Sequence, residues 1–331
     1  MSTAAPMSPG KINPSSSSPW LMLQPAYEAA AACTAATTTL TYKFYSLAEN
    51  RAPILHKSIL SCSPDTENCV AVSLTYSGNS MAVCCPLSSD NWKWFGTNSK
   101  DNNHLDCVYS TSKKTLFALT NTFQLEAWDL TAASPELLRI MGEFRNILDH
   151  EEKMMKRRNT KLLRSRDDLS CWHEYHLVIA GEDLLVLTQY IMLSVNSDGL
   201  YVDFEAEESH EEESRKYMFG HPSATFDFDV HRYDWEDGDL KYLEGSCLGG
   251  WALFVGNYNH SLALRASDFP ELKPNSIYFT DVIADRCDIN GGNHDIGIFS
   301  CEDKTVSPCY YPYDPASLKA MFPEPMWFFP S

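Results

Sequence analysis

The sequence predicts an all-β fold: a single β-propeller of short antiparallel blades, with one helical insertion at about residues 134–166. Three observations carry that expectation. Most segments after residue 20 are brief runs of β-forming residues punctuated by turn residues. Blocks at residues 116–130, 184–243, 251–264 and 277–310 share one plan: an apolar strand, a turn, and an alternating strand closing in an aromatic or acidic residue. No linker can be read within residues 20–331, which favours a propeller over a pair of sandwiches. Radially repeated sheets let a long antiparallel chain pack its apolar faces on its neighbours and expose only short edges.

Charge and composition narrow the function classes. The 331 residues carry 44 Asp plus Glu against 26 Lys plus Arg, a formal net charge of −18. That balance disfavours a binder of phosphate backbones, and the one basic stretch lacks the interleaved aromatics that stack bases, so no nucleic-acid partner is expected. With 44% hydrophobic and 21% charged residues the chain can bury a sizeable core. The most apolar run, residues 184–195, is short and interrupted by Thr188 and Gln189, so no membrane span is expected. The eleven cysteines form no C-x-x-C unit, and no secretory signal can be read. Free buried thiols in a reducing compartment, nucleus or cytoplasm, are therefore expected. The Ser/Ala-rich N-terminus has some character of an organellar transit peptide, against which stand a single Lys and no Arg before Tyr27.

The elements follow in order. Residues 1–19 read as a disordered Ser/Pro-rich tail, and 20–331 as the propeller domain. Residues 69–76 (CVAVSLTY) and 81–85, joined by Ser77-Gly78-Asn79-Ser80, form a hairpin. Residues 105–109, 115–120 and 123–130 repeat the idea. Ser134-Pro135-Glu136 then offers an N-cap, a first-turn proline and an acidic first turn. Leu137, Leu138, Met141, Phe144 and Leu148 follow at helical spacing, and a basic run from Lys153 to Arg166 reads as a solvated face rather than a recognition helix or import signal.

Strands resume at 175–179 and 184–192, separated by Ala180-Gly181-Glu182-Asp183. The acidic stretch 205–213 lacks the alternating ligands and glycine of a calcium loop and reads as solvated. In 225–234, Phe226, Phe228 and Val230 alternate with Asp227, Asp229 and His231, the pattern of a half-buried strand. The return strand 240–243 and strands at 251–255, 261–264, 277–280, 295–301 and 305–310 complete the series.

The polar and thiol-bearing constellations are the places where chemistry could sit. Gly245-Ser246-Cys247-Leu248-Gly249 has its serine one place early for a nucleophile elbow. Gly249-Gly250 beside Trp251 reads as a tight backbone approach, not an oxyanion hole. His294-Asp295 and Asn257-Tyr258-Asn259-His260 are polar groups at predicted strand ends, with no second partner visible for a catalytic dyad. Cys84-Cys85 and Cys171-Trp172-His173 read as core filling. Trp92, Trp94, Trp128, Trp235, Trp251 and Trp327 could form a binding platform only by sharing a rim; packing between blades is the expectation. No catalytic, cofactor-binding or metal residue is assigned, no cofactor is expected, and partner-binding residues stay unassigned.

The C-terminal third also carries a resemblance. Residues 243–256 (LEGSCLGGWALFVG), 266–281 (ASDFPELKPNSIYFTD), Asp295-Ile296-Gly297-Ile298-Phe299 and Trp327-Phe328-Phe329-Pro330-Ser331 resemble, in order, the plant F-box-associated KIB-type β-propeller. Residues 20–23, 69–85 and 115–130 resemble its opening segments, so the likeness spans 20–331. It implies a substrate-recognition propeller of the kind found in SCF ubiquitin ligases. No F-box can be read before Trp20, so direct docking of the Skp adaptor is not expected. The expected function is a non-enzymatic module holding a protein target through its loops. The alternative is a propeller enzyme or small-ligand binder with a polar site at the channel mouth.

Overall fold

The computed structural model describes residues 20–22, 55–61, 69–75, 81–84, 93–96, 103–131, 134–144, 147, 171–192, 224–244, 248–256, 261–280, 295–309 and 326–328. Among them lie four sheets of four or five strands and one two-stranded pair: a four-bladed, all-β propeller with almost no helix. The first blade is β2 (Leu55–Leu60), β3 (Ala71–Thr75), β4 (Met81–Cys84) and β5 (Lys93–Phe95). The second is β6 (His104–Ser110), β7 (Thr115–Thr120), β8 (Gln124–Asp129) and β9 (Glu136–Glu143). The third is β10 (Cys171–Ala180), β11 (Asp183–Met192), β12 (Ala224–Asp234) and β13 (Asp239–Tyr242). The fourth holds β14 (Trp251–Val255), β15 (Leu262–Arg265), β16 (Ser276–Phe279), β17 (Gly297–Ser300) and β18 (Thr305–Pro308), while β1 (Trp20–Met22) pairs with β19 (Met326–Phe328).

The apolar runs lack a polar face because the blades stack. On β7, Leu116 and Ala118 pack toward Ile59, Val72, Leu74 and Met81 of the first blade. Phe117 and Leu119, on the other face, pack toward Leu177, Leu184 and Val186 of the third. Val178, Leu185, Leu187, Phe228 and Val230 of the third blade meet Leu253, Val255, Ile277, Phe279 and Phe299 of the fourth. Trp327 of β19 closes the far face of the fourth blade against Ala252, Phe254 and Tyr278. Each Leu, Ile, Val, Phe or Met among these side chains contributes about 1.5–3 kcal/mol on full burial.

Four sequence expectations are corrected. Residues 136–143 are the strand β9 and not the start of a helix; residues 151–166 lie outside the described residues. The open edge of β8 offers backbone pairing from Glu136 to Glu143, and Gly142 at φ +128° cannot sit in a helix. The blades are also not all antiparallel. Two blocks read as separate repeats merge into the fourth sheet, where β16 runs parallel to β14. Its crossover is residues 266–275, which the Ala266–Asp268 3-10 turn and the amides of Phe269 and Leu272 compact.

The third correction concerns the middle of β12, which is buried on both faces: Asp229 and His231 are as enclosed as Phe228 and Val230, while Asp227 is part-buried and Arg232 exposed. Alternation showed two faces correctly, but both meet packed neighbours. Finally, Gly249 and Gly250 have open space where a Cβ would stand; left-handed backbone, φ +61° and +83°, is what calls for glycine there. Close approaches occur instead at Gly256, against Thr280 Oγ1, and at Gly297, whose Cβ would lie 2.6 Å from Phe279 Cζ.

The inner strands fix the axis. The ends of β6 and β10 share a rim, since Ser112 donates to Glu182 at 3.3 Å and Lys113 stands 3.6 Å from the same carboxylate. The end of β15 joins them through Arg265, stacked 3.9 Å above Trp251, itself against Gly181. The first residues of β10 therefore lie at the opposite rim, where β11 ends and β12 begins.

Candidate functional site

Two β-bulges aim polar side chains at the axis. On β2 the register shifts between Leu55 and Lys57, and on β6 between His104 and Asp106. Bulges kink a strand and redirect the neighbouring side chain. Lys57 Nζ donates to Asp106 Oδ1 at 2.5 Å and to Ser261 Oγ, just before β15, at 3.3 Å. Asp106 Oδ2 accepts the backbone N–H of Leu177 on β10 at 2.7 Å, and Oδ1 accepts that of Cys107. One ion pair thereby ties all four blades and satisfies an inner-edge amide that would otherwise be buried unpaired. Lys57, Asp106 and Ser261 are all buried.

The face of β10 that meets the fourth blade grades from polar to apolar along the axis. It carries Trp172, Glu174 and His176, then Val178 and Ala180. Trp172 Nε1 donates to Glu174 Oε1 at 2.7 Å, and the indole is 49% exposed, which places it at the rim. Glu174 is half-buried; loss of solvent and the neighbouring Asp106 push its carboxyl up to about 7, against the restraining indole bond. Deeper in, His176 Nε2 donates to Gln189 Oε1 at 2.8 Å, and Gln189 Nε2 to Thr225 Oγ1 at 2.6 Å. Thr225 Oγ1 donates to Asp295 Oδ2 at 2.5 Å, so the chain of bonds crosses from the third blade to the stretch preceding β17.

A second buried group lies within the second blade. His104 Nε2 and Trp128 Nε1 both donate to Glu126 Oε2 at 2.9 Å. His104 Nδ1 and Glu126 Oε1 have no hydrogen-bond partner. All three side chains are enclosed, so this is an internal brace of β6 and β8.

The remaining sequence candidates scatter. Ser246, His294, the 257–260 group, Cys85 and Trp92 lie outside the described residues, as do residues 205–213. Asp295 serves Thr225, as described. Cys69 is buried, Cys107 and Cys301 are free and buried, and desolvation pushes the Cys301 thiol up to about 12 and that of Cys107 higher still. Trp128 packs edge-on against Phe95 at 5.2 Å and Trp327 against Phe254 at 5.2 Å. Trp94 is half exposed, and Trp235 lies under Lys113 at 4.4 Å. Among the described residues no group of three or more His, Cys, Asp or Glu could hold a metal.

Residues 266–280 do structural work. Asn275, at φ +52°, accepts the Gly250 N–H on Oδ1 at 3.0 Å and the Cys301 N–H on its carbonyl at 3.0 Å. Its Nδ2 donates to Glu302 at 2.8 Å. Tyr278 OH accepts the Lys273 N–H at 2.8 Å. The motif is thus the clamp that lets β16 return beside β14. The sequence does not mark the axial ion pair or the Trp172–Glu174 pair, because Lys57, Asp106 and Glu174 each stand in an inner strand that carries other polar residues.

The sequence model of the family described as KIB1-4 beta-propeller matches residues 4–300. No curated protein matches. Among solved structures, the N-terminal domain of Nup159 is similar at TM-score 0.28 and 11% identity, over 52% of this chain and 34% of that one. An S. cerevisiae assembly of Dbp5 with Nup159, Gle1, IP6 and ADP gives TM-score 0.26 and 10% identity, over 52% and 33%. Kluyveromyces marxianus Hsv2 gives 0.21 and 9%, over 39% and 38%. The matched parts span about a third of those chains.

Proposed function

This chain belongs to the KIB1-4 β-propeller family, and from that premise we propose that it is a non-enzymatic recognition module holding a protein target, like the substrate-binding propellers of F-box proteins in plant SCF ubiquitin ligases. A β-propeller is generally a scaffold for protein interactions, its connections forming variable surfaces on a rigid frame. The observation that carries the reading is the axial tie: Lys57, Asp106, Ser261 and the Leu177 amide fill the axis with side chains bonded to one another. A frame fastened there suits binding at a rim. The nucleus or cytoplasm is the compartment this role requires. No helix among the described residues is long and apolar enough to cross a membrane.

A second reading, a small-ligand or catalytic site at the channel mouth, draws on Glu174, whose carboxyl stands near 7 beside an exposed indole. Affinity purification of the chain, alone and fused to an F-box, followed by mass spectrometry, separates the two. One protein enriched by both baits is the expected result, with the Skp adaptor in the fused sample. Skp capture by the unfused chain would show that it docks the ligase itself. Enrichment of nothing by either bait would overturn recognition in favour of the second reading.

A further inference from the structure

The outer strands of the four blades differ in how they meet solvent. β5 has three residues and carries Lys93, β13 has four and carries Lys241, and β18 has four and ends in Pro308. Short length, lysine and proline keep a sheet edge from pairing with another chain. β9 has eight residues, and every side chain from Glu136 to Ile140 is exposed, with Leu137 at 40%, Leu138 at 56% and Ile140 at 49%. Among the described residues β9 pairs with β8 and with no strand on its other side, so its outer backbone groups are available to an added strand.

A bulge sets the pattern of that edge. Ala127 opposes Arg139 and Trp128 opposes Leu137, so Leu138 is the extra residue. Opposed residues share a sheet face. Glu136, opposite Asp129, and Arg139, opposite Ala127, therefore lie on one face, although they are three residues apart. Leu137 and Ile140, opposite Trp128 and Glu126, lie on the other. Such an edge complements itself. Turned about a two-fold axis between Leu137 and Leu138, it sets Glu136 of each copy opposite Arg139 of the other, with the leucines between the two ion pairs. Pro135 has no N–H to continue the ladder, which confines the match to residues 136–139.

We propose that the exposed edge of β9 pairs antiparallel with the same edge of a second copy, joining the second blades of two chains into one continuous sheet. The pairing is independent of what either rim holds. A contact of four residues a side is small, so the dimer dissociates on dilution.

Sedimentation velocity of the full chain, from about 2 µM to about 200 µM, tests it. The wild type is expected to pass from monomer to dimer across that range. Glu136→Arg sets arginine opposite arginine at both ends, and Arg139→Glu sets glutamate opposite glutamate; each alone should weaken the dimer about tenfold. An equimolar mixture of the two variants regains both ion pairs and should form a heterodimer as tight as the wild-type dimer. The double variant, Glu136→Arg with Arg139→Glu, regains them within one sequence and should dimerise likewise. Leu138→Lys should stay monomeric. All these changes fall on exposed side chains, so the circular dichroism spectra should match that of the wild type. A wild type that stays monomeric at the highest concentration, a dimer indifferent to the single reversals, or a mixture no more associated than its components would overturn the proposal.

Discussion

Lys57 and Asp106, 49 residues apart in sequence and on different blades, meet at 2.5 Å on the propeller axis. Each follows a β-bulge on its inner strand, and each is buried. The pair matters less for its own attraction than for what its loss leaves behind. Removing one partner strands the other as an uncompensated buried charge, which costs about 3–5 kcal/mol. Lys57→Met and Asp106→Leu are expected to lower stability by that amount in urea unfolding. Asp106→Asn, which keeps an acceptor for the Leu177 and Cys107 amides, should cost less than Asp106→Leu. Ser261→Ala, losing one bond at 3.3 Å, should cost only about 0.5–1.5 kcal/mol.

The close approach at Gly297 gives a steric prediction. A methyl group there would stand 2.6 Å from Phe279 Cζ and 3.2 Å from Val306 Cγ1, and Phe279 is fully buried between the third and fourth blades. Gly297→Ala should destabilise by about 1–3 kcal/mol through overpacking. Equilibrium unfolding reads this, and a loss below the resolution of the measurement would show that Phe279 has room to move.

Asn275 separates backbone from side-chain effects. Asn275→Gly keeps the left-handed φ of +52° but loses the bonds to Gly250 and Glu302; Asn275→Ala loses both. The expected order of stability is therefore wild type, then glycine, then alanine. Thermal unfolding of the three proteins checks it.

Stability should depend on pH through Glu174. Its carboxyl sits at about 7 in the folded chain against 4.5 as the ordinary value, so the folded state holds the proton more tightly than the unfolded state. The contribution is intact below about 4.5, is lost progressively as pH rises to about 7, and stays lost above. The stability of wild type minus that of Glu174→Gln should fall across that window. Asp129, Asp234 and Asp303 act with the opposite sign. Hydrogen bonds from Thr131, from the amides of Glu236 and Asp237, and from Thr305 and Ser300 hold them below the usual carboxylate range, so their support fades as acid protonates them.

Cys107 and Cys301 should resist alkylation in the folded protein, since burial holds the Cys301 thiol at about 12 and that of Cys107 above it. Mass spectrometry after iodoacetamide treatment should find both labelled only when denaturant is present. Rapid native labelling of either would mean that its blade opens readily.

The sequence determined where strands form. Alternation in residues 225–234, the apolar runs 115–120 and 184–192, and the turn residues between them place β12, β7 and β11 through local rules of period and turn chemistry. It also determined the motif series whose Asn275 clamps the fourth blade. Tertiary structure alone decided the rest. Glu136–Glu143 has helical spacing and a helix-like start, yet pairing with β8 made it a strand, because a local preference yields to an open sheet edge beside it. Asp229 and His231 of β12 became core because a blade has neighbours on both faces. The axial tie joins positions 49 and 204 residues apart, and no local pattern encodes contacts at that separation. Only stacking the blades brings Lys57, Asp106 and Ser261 into one place.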